Sequence, residues 1–447
     1  MQIFPLRLYR ALSAPFFLFP ILFFGLIFSA TIIFLFPFCY IDHRSPAIID
    51  ALFSSSSAVS HTGLWTTNLA VVLSPFGKIF LLFLIQTGGI LTLFFGLLFV
   101  LAIRVDGVKT IWMRSTREIY HDIDEKGRRK FRYLFKFIII AEATGTILLF
   151  SLWPKEIQFS GIAHKIFFSF FHAVSAFNNC GFTLLPDGFS TVGLRNGYIF
   201  QLGTAGLMLT GSFGVFAFME LFSFSELRKR LASPKLKPGH ATRITVVTGL
   251  IVLITGAGLF YFLERRHTLI DVPSVGAGIA SLFTVISARG AGYQNIPFHS
   301  MVPASFVLLL SMIVIGSSPI STGGGFRTTT VWLLLKSAVL RLFPEEIGES
   351  SVAEFRVTKR ISKIMFFSIS TLLICILLLM ITHPNAHLSN ISFAECCAFF
   401  NNGFAGGIPS ELNLFGKLII IFSMALGRVI SLILGIAYLS IYPLPVN

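Results

Sequence analysis

Charge is scarce in this chain. Only 12% of its 447 residues are Asp, Glu, Lys or Arg, whereas 54% are hydrophobic and the mean hydropathy is +0.81. A soluble protein of this length could not cover so much apolar surface, which excludes two or three water-soluble domains. Acidic residues are rarer still, 20 against 35 basic ones. They form no cluster with His at one interface, so a polytopic membrane enzyme has no visible catalytic centre. Cysteine is also sparse. Cys39, Cys180, Cys375, Cys396 and Cys397 show no metal-ligand spacing, and an odd count with two adjacent members suits free thiols.

Long apolar runs fill the space that charge leaves. Many approach or exceed the roughly 20 residues that cross a bilayer as a helix. The first, Phe16 to Phe38, is too long for a signal-peptide core and has no small-residue cleavage site after it, so it reads as a retained span. The net charge of +15 is unevenly spread. Of the 35 Lys and Arg, 24 fall at Arg7 and Arg10, in Arg104–Lys136, in Arg228–Arg243 and in Lys336–Lys363. These are alternate connections between spans, as expected of cytoplasmic loops and of contact with anionic membrane lipids. No nucleic-acid module accompanies the charge, and nucleic acid is not an expected partner.

One polar, glycine-bearing stretch recurs. Ala176-Phe177-Asn178-Asn179-Cys180-Gly181-Phe182 is echoed 222 positions later by Ala398-Phe399-Phe400-Asn401-Asn402-Gly403-Phe404. Halfway between them stands Ala291-Gly292-Tyr293, and 118 residues before Gly181 stands Thr62-Gly63-Leu64. Intervals of 118, 111 and 111 between the glycines set an architecture of four repeats. Each repeat reads as span, short re-entrant helix, loop and span. The expected spans are Phe16–Tyr40, Phe76–Ile103, Tyr133–Trp153, Tyr198–Phe222, Ile244–Leu263, Met301–Leu335, Ile364–Thr382 and Leu414–Tyr442. The expected re-entrant helices are Ile48–Ser60, Ile162–Phe177, Val272–Ser287 and Ser389–Phe400.

The fold expected is therefore an all-α membrane protein: eight transmembrane helices as four helix–pore-loop–helix repeats with pseudo-fourfold symmetry around one pore. Repeats occupy 1–103, 133–222, 244–335 and 364–447, separated by a basic cytoplasmic loop (104–132), a turn-rich linker (223–243) and a further cytoplasmic loop (336–363). Both termini fall on the cytoplasmic side.

Non-helical backbone at membrane depth must be buried in protein or line a watery cavity. Short helices ending at such loops aim the negative ends of their dipoles at the centre, where cations are favoured. Glycine lets successive carbonyls turn inward, and rings of carbonyls replace a cation's hydration shell. The four motifs contain no carboxylate, which agrees with backbone coordination. The sixth span carries a break at Gly316-Ser317-Ser318-Pro319-Ile320-Ser321-Thr322-Gly323-Gly324-Gly325-Phe326-Arg327. Such glycine runs are either simple kinks or the lining of a transport site.

These residues resemble the Trk/Ktr/HKT superfamily of potassium transporters over nearly the whole chain. The resemblance implies a selectivity filter at Thr62, Gly63, Leu64, Cys180, Gly181, Phe182, Ala291, Gly292, Tyr293, Asn402, Gly403 and Phe404. It implies a gate at Ser321, Thr322, Gly323, Gly324 and Gly325, faced by Arg428 of Gly427-Arg428-Val429. Potassium would be the transported ion, held by backbone carbonyls, with no cofactor bound. The absence of extra helices before the first repeat favours a Ktr-like subunit. That branch implies a homodimer docked on a cytosolic nucleotide-binding regulatory ring of the RCK type, in a bacterial inner membrane. Gly63 resembles the potassium-permissive members. His61 departs from the small apolar residue usual before Thr-Gly, and an inward tilt of its ring would compromise discrimination against sodium.

Other polar residues have blander readings. Glu142 and Glu220 lie near span ends, where solvent or a basic neighbour is expected, which disfavours a sodium- or proton-coupled symporter. His172 and Glu395 sit on re-entrant helices and are expected to buttress the filter, and Asp50 and Asp271 to cap helix starts. Arg327 reads equally as the end of the gate or as a cytoplasmic anchor.

Overall fold

The computed structural model describes residues 14–106, 116–123, 125–222, 228, 238–297, 300–342, 351–404 and 412–441. The basic residues Arg7 and Arg10, residues 107–115 of the basic loop, linker residues 229–237 and residues 343–350 lie outside them. The described residues form helices and no strand; Tyr40 and Leu73 make a single isolated bridge.

The first repeat comprises α1 (Pro15–Phe34), the short α2 (Ile48–Ser60) and α3 (Pro75–Asp106). A proline opens α1 at its first turn, where a missing N–H costs nothing. The helix was expected to reach Tyr40 but stops at Phe34, because Pro37 cannot continue it and starts a 3-10 turn, Pro37–Cys39. The second repeat holds α4 (Glu125–Leu152), α5 (Ile162–Phe177), α6 (Tyr198–Ser212) and α7 (Val215–Phe222). The third holds α8 (His240–Glu264), α9 (Ser274–Arg289), α10 (Pro303–Ile315) and α11 (Thr328–Leu342). The fourth holds α12 (Ser351–Thr382), α13 (Leu388–Phe399) and α14 (Leu414–Ile441).

Six of these helices are long and apolar enough to cross a membrane by themselves. The other two of the eight spans are broken. Tyr198–Phe222 is not the straight helix its composition suggested, but α6 and α7 meeting at a bend of 103°. The cause is Gly214, at φ +84°, where a Cβ would stand 2.5 Å from the carbonyl oxygen of Pro319. The backbone N–H of Val215 donates to Ile320 O (3.1 Å), so the sixth span's loop is seated in the bend.

Burial separates inner from outer helices. Within their apolar windows α3 is 72% and α14 61% buried, against 28% for α1 and α4 and 17% for α8 and α12. The first span of each repeat faces lipid, and the second packs inward against the re-entrant helices. Hydroxyls on spans are mostly satisfied within their own helix, as Thr92 to Gly88 O (2.9 Å) and Thr204 to Phe200 O (2.9 Å). Glu220 is half-buried against the start of the third repeat. It accepts from the Gly239 N–H and the Thr242 hydroxyl, and so caps the start of α8. Asp50, in the first turn of α2, pairs with Lys417 of α14 at 2.7 Å.

Candidate functional site

Each re-entrant helix ends by turning sharply inward. His61, Asn179 and Asn401 adopt left-handed backbone at φ 59°, 52° and 50°, a region His and Asn tolerate better than most side chains. The third repeat has Gly290 at this place. Two residues on come the loop glycines, with φ of 75°, 78° and 84° at Gly63, Gly181 and Gly292; Gly403 does not share it.

The four glycines converge in cyclic order. A Cβ on Gly63 would lie 2.0 Å from Cys180 O, and one on Gly181 would lie 2.2 Å from Ala291 O. One on Gly292 would lie 2.2 Å from Gly403 N, and one on Gly403 would lie 3.1 Å from Thr62 O. Each loop thus abuts the next, and the fourth returns to the first. The fourth also leans toward the third, since the N–H of Gly403 donates to Ala291 O at 3.1 Å. The bulky residues after the glycines, Leu64, Phe182, Tyr293 and Phe404, are all buried. They wedge the loops from behind: Ser175 donates to Phe182 O (2.8 Å), Ser287 to Tyr293 O (2.7 Å) and Tyr293 to Phe182 O (3.3 Å).

Four further glycines recur with the loops; Gly316 and Gly427 stand out in the sequence only as parts of the gate motifs, and Gly88 and Gly211 not at all. Gly88, Gly211, Gly316 and Gly427 follow Gly63, Gly181, Gly292 and Gly403 by 25, 30, 24 and 24 residues. A Cβ on Gly88, Gly211 or Gly427 would lie 2.4, 1.8 or 1.7 Å from the carbonyl of Val59, Phe177 or Phe399. Each of those carbonyls belongs to the residue four before the loop glycine. The inner helix therefore rests its backbone on the carbonyl end of the re-entrant helix, a contact that only glycine allows. In the third repeat the span breaks at the corresponding Gly316.

The side chains next to the loop glycines point into the surrounding helices. His61 is fully buried, with Nε2 2.9 Å from Ile85 O and Nδ1 2.9 Å from Arg428; its ring does not tilt toward the four glycines. Asn179 donates to Met208 O (3.2 Å) and Thr322 Oγ1 (2.9 Å). Asn401 reaches Met424 O (2.8 Å) and Thr62 Oγ1 (3.1 Å), and Asn402 donates to the carbonyls of Ser287, Ala288 and Gly290.

Beneath the glycines runs the Gly-rich loop between α10 and α11. Gly325 N–H donates to Phe400 O (3.2 Å), and a Cβ on Gly324 would lie 1.8 Å from the same oxygen. Thr322 donates its hydroxyl to Phe177 O (2.9 Å). Arg327 is fully buried, which removes the cytoplasmic-anchor reading. It knots the loop by donating to Ser318 O (3.0 Å), Ser321 Oγ (2.9 Å), Gly323 O (2.8 Å) and Ser431 O (3.1 Å). Arg428 donates to Thr322 O at 2.8 Å. A third buried arginine, Arg289 at the end of α9, was missed. It donates to Gly316 O (3.2 Å) and Thr328 Oγ1 (3.0 Å), and its signal was a cation three residues before a loop glycine. No carboxylate is among the partners of these three guanidiniums, so their charge is held by carbonyls, hydroxyls and one imidazole.

Two buried acids lie behind the loops. The helix carrying Glu142 begins at Glu125, so Glu142 is in its interior, contrary to the span-end expectation. It accepts from Gln86 (3.0 Å) and from Asn178 (3.3 Å), three residues before Gly181. Glu395 accepts from Ser423, and its second oxygen has no partner. His172 bonds Phe168 O (2.8 Å) and Thr183 Oγ1 (3.0 Å), bracing the second loop. No His, Cys, Asp and Glu group among the described residues has the arrangement of a metal centre.

Comparison with known proteins follows the same outline. The potassium/sodium uptake protein NtpJ of Enterococcus hirae is 29% identical over 404 residues, 88% of this chain and 86% of that protein. The Ktr system potassium uptake protein B of Bacillus subtilis is 30% identical over 402 residues, 85% of this chain and 83% of the relative. The crystal structure of the potassium transporter TrkH from Vibrio parahaemolyticus shares the fold, with a TM-score of 0.69 at 18% identity over 95% of this chain and 83% of that one. Residues 27–441 match the TrkH family, described as cation transport protein. The chain belongs to that family.

Proposed function

We propose that this multi-pass membrane protein takes up potassium through the ring of four loops, with residues 316–327 as its gate. The observation that carries the reading is the cyclic approach of each loop glycine to the next loop's backbone. Four helix C-termini directed at one ring make it attractive to a cation, and carbonyls there substitute for water. The twelve residues from Thr62–Leu64, Cys180–Phe182, Ala291–Tyr293 and Asn402–Phe404 form the selectivity filter in this reading. Ser321–Gly325 and Arg428 form the gate. Three guanidiniums around that loop oppose a cation leaving the ring, so conduction requires the loop to shift.

The chain is a transport protein rather than an enzyme, and potassium is its cargo. The name of the Ktr system relative supports a Ktr-type subunit, and the resemblance of the sequence to that branch implies a homodimer on a cytosolic nucleotide-binding ring. The basic cytoplasmic connections support both termini on the cytoplasmic face of a bacterial inner membrane. A second reading, proton- or sodium-coupled uptake, draws support from Glu142, whose carboxylate contacts the second loop through Asn178. Reversal potentials in reconstituted vesicles with varied potassium, sodium and proton gradients test both. A potential that follows potassium alone is expected. One indifferent to potassium rejects the proposal, and one that moves with pH favours coupling.

A further inference from the structure

The place two residues before a loop glycine is filled by His61, Asn179, Gly290 and Asn401. Asn179 and Asn401 end on carbonyls of the inner helices, Met208 O and Met424 O. His61 does the same with one ring nitrogen, on Ile85 O. Its other nitrogen does something the asparagines do not, and contacts a charged group, Arg428.

The protonation pattern of this pair is fixed by its partners. A carbonyl only accepts, so Nε2 carries the hydrogen and Nδ1 presents a lone pair. A guanidinium only donates, so Arg428 Nη2 fits that lone pair at 2.9 Å. The guanidinium is planar and rigid. With Nη2 held by His61 and Nε by Thr92 (3.3 Å), Nη1 has one direction left, which is Thr322 O at 2.8 Å.

All four pore loops hold the Gly-rich loop, but not alike. The second touches it directly through Phe177 O and Asn179 on Thr322, the third through Arg289 on Gly316, and the fourth through Phe400 O on Gly325. The first reaches it through His61 and Arg428, one side chain acting on another. We propose that His61 is a positioning residue: it orients Arg428 onto Thr322 and thereby couples the first pore loop to the gate. This rests on the gate reading above. The coupling is reciprocal, because any energy by which a seated cation biases the loop is the energy by which the loop biases that cation. Displacing His61 frees Arg428 and loosens Thr322; releasing Thr322 lets Arg428 and the first loop relax.

The test is rubidium flux through the full-length protein in vesicles. His61→Asn places at position 61 the residue that the second and fourth loops already carry on the same left-handed backbone, so the fold tolerates it, yet its side chain is too short for Arg428. Resting flux is expected to rise roughly tenfold in His61→Asn and in Arg428→Gln, the scale of one charged hydrogen bond. The double variant is expected to leak no more than either, and the potassium-to-sodium permeability ratio of His61→Asn to stay at the wild-type value. His61→Gln, a longer arm with an acceptor at its tip, should restore part of the closure. Wild-type flux in His61→Asn, multiplying effects in the double variant, a collapsed permeability ratio, or a glutamine as leaky as the asparagine would each overturn the proposal. A silent Arg428→Gln would instead strike the gate reading itself.

Discussion

Gly181 faces Ala291 across the boundary between the second and third repeats, so closely that a Cβ on the glycine would stand 2.2 Å from the alanine's carbonyl oxygen. The same contact, shifted by one repeat, links Gly63 to Cys180. Neighbouring walls of the ring are thus set by backbone touching backbone, with no side chain to absorb an error.

Gly63→Ser tests this spacing. The added Cβ would lie 2.0 Å from Cys180 O, on a residue whose φ of +75° already disfavours side chains. The first two loops must part, and the ring must widen toward ions that keep some water. The ratio of potassium to sodium permeability, read from reversal potentials, is expected to fall by roughly tenfold, the scale of one such backbone clash.

Arg327→Gln removes the centre of a four-bond knot, three bonds inside the Gly-rich loop and one to Ser431 of α14. Several buried acceptors lose their donor, at about 1–3 kcal/mol each. Resting rubidium flux should rise and the thermal midpoint in detergent should drop by several degrees. Shortening Ser321–Gly325 should also raise flux, while leaving Arg327 in place; a silent deletion would remove the gate role.

Gly427→Ala probes the rest of the inner helix on its re-entrant partner. There is no room for a methyl 1.7 Å from Phe399 O, and overpacking of this kind costs about 1–3 kcal/mol. Gly25→Ala is the matched control, because nothing lies within 4 Å of its Cβ position. Thermal melting should separate the two, with Gly25→Ala at or above the wild-type midpoint.

Glu142→Leu and Glu142→Gln separate scaffold from coupling. Glutamine still offers an oxygen to Gln86 and Asn178, while leucine takes the acceptor from the Gln86 amide and leaves Asn178 only Gln86 Oε1 (3.0 Å) and Val174 O (3.0 Å). Potassium flux should survive in the glutamine variant and fall in the leucine variant by about tenfold, the scale of one unpaired amide. Loss in both, together with loss of a pH response, would favour the coupled reading.

The repeat period and the apolar runs made the eight spans and the four loops legible in the sequence, because membrane burial leaves a long, simple signal. Ile48–Ser60 and Ile162–Phe177 emerged with the bounds expected. The bend at Gly214 did not, since its cause is a loop more than a hundred residues away. Glu142 was misplaced although the expected span Tyr133–Trp153 holds it midway; its partners, Gln86 of the first repeat and Asn178 beyond the next helix, leave no local pattern. Arg289, Gly88 and Gly211 were legible in retrospect only, by their distance from a motif already in hand, and Gly427 was marked only as the neighbour of Arg428. The contact of His61 with Arg428 joins positions 367 apart, and no local pattern announces such a pair.

Only one of the four inner spans is interrupted by a Gly-rich loop, and that single interruption crosses under the whole ring. A channel made of identical subunits must move equivalent parts in concert, whereas on the proposed gate reading this chain would open by shifting one hinge against three stationary walls. Its aperture is then lopsided, and a regulator needs a grip on the third repeat alone.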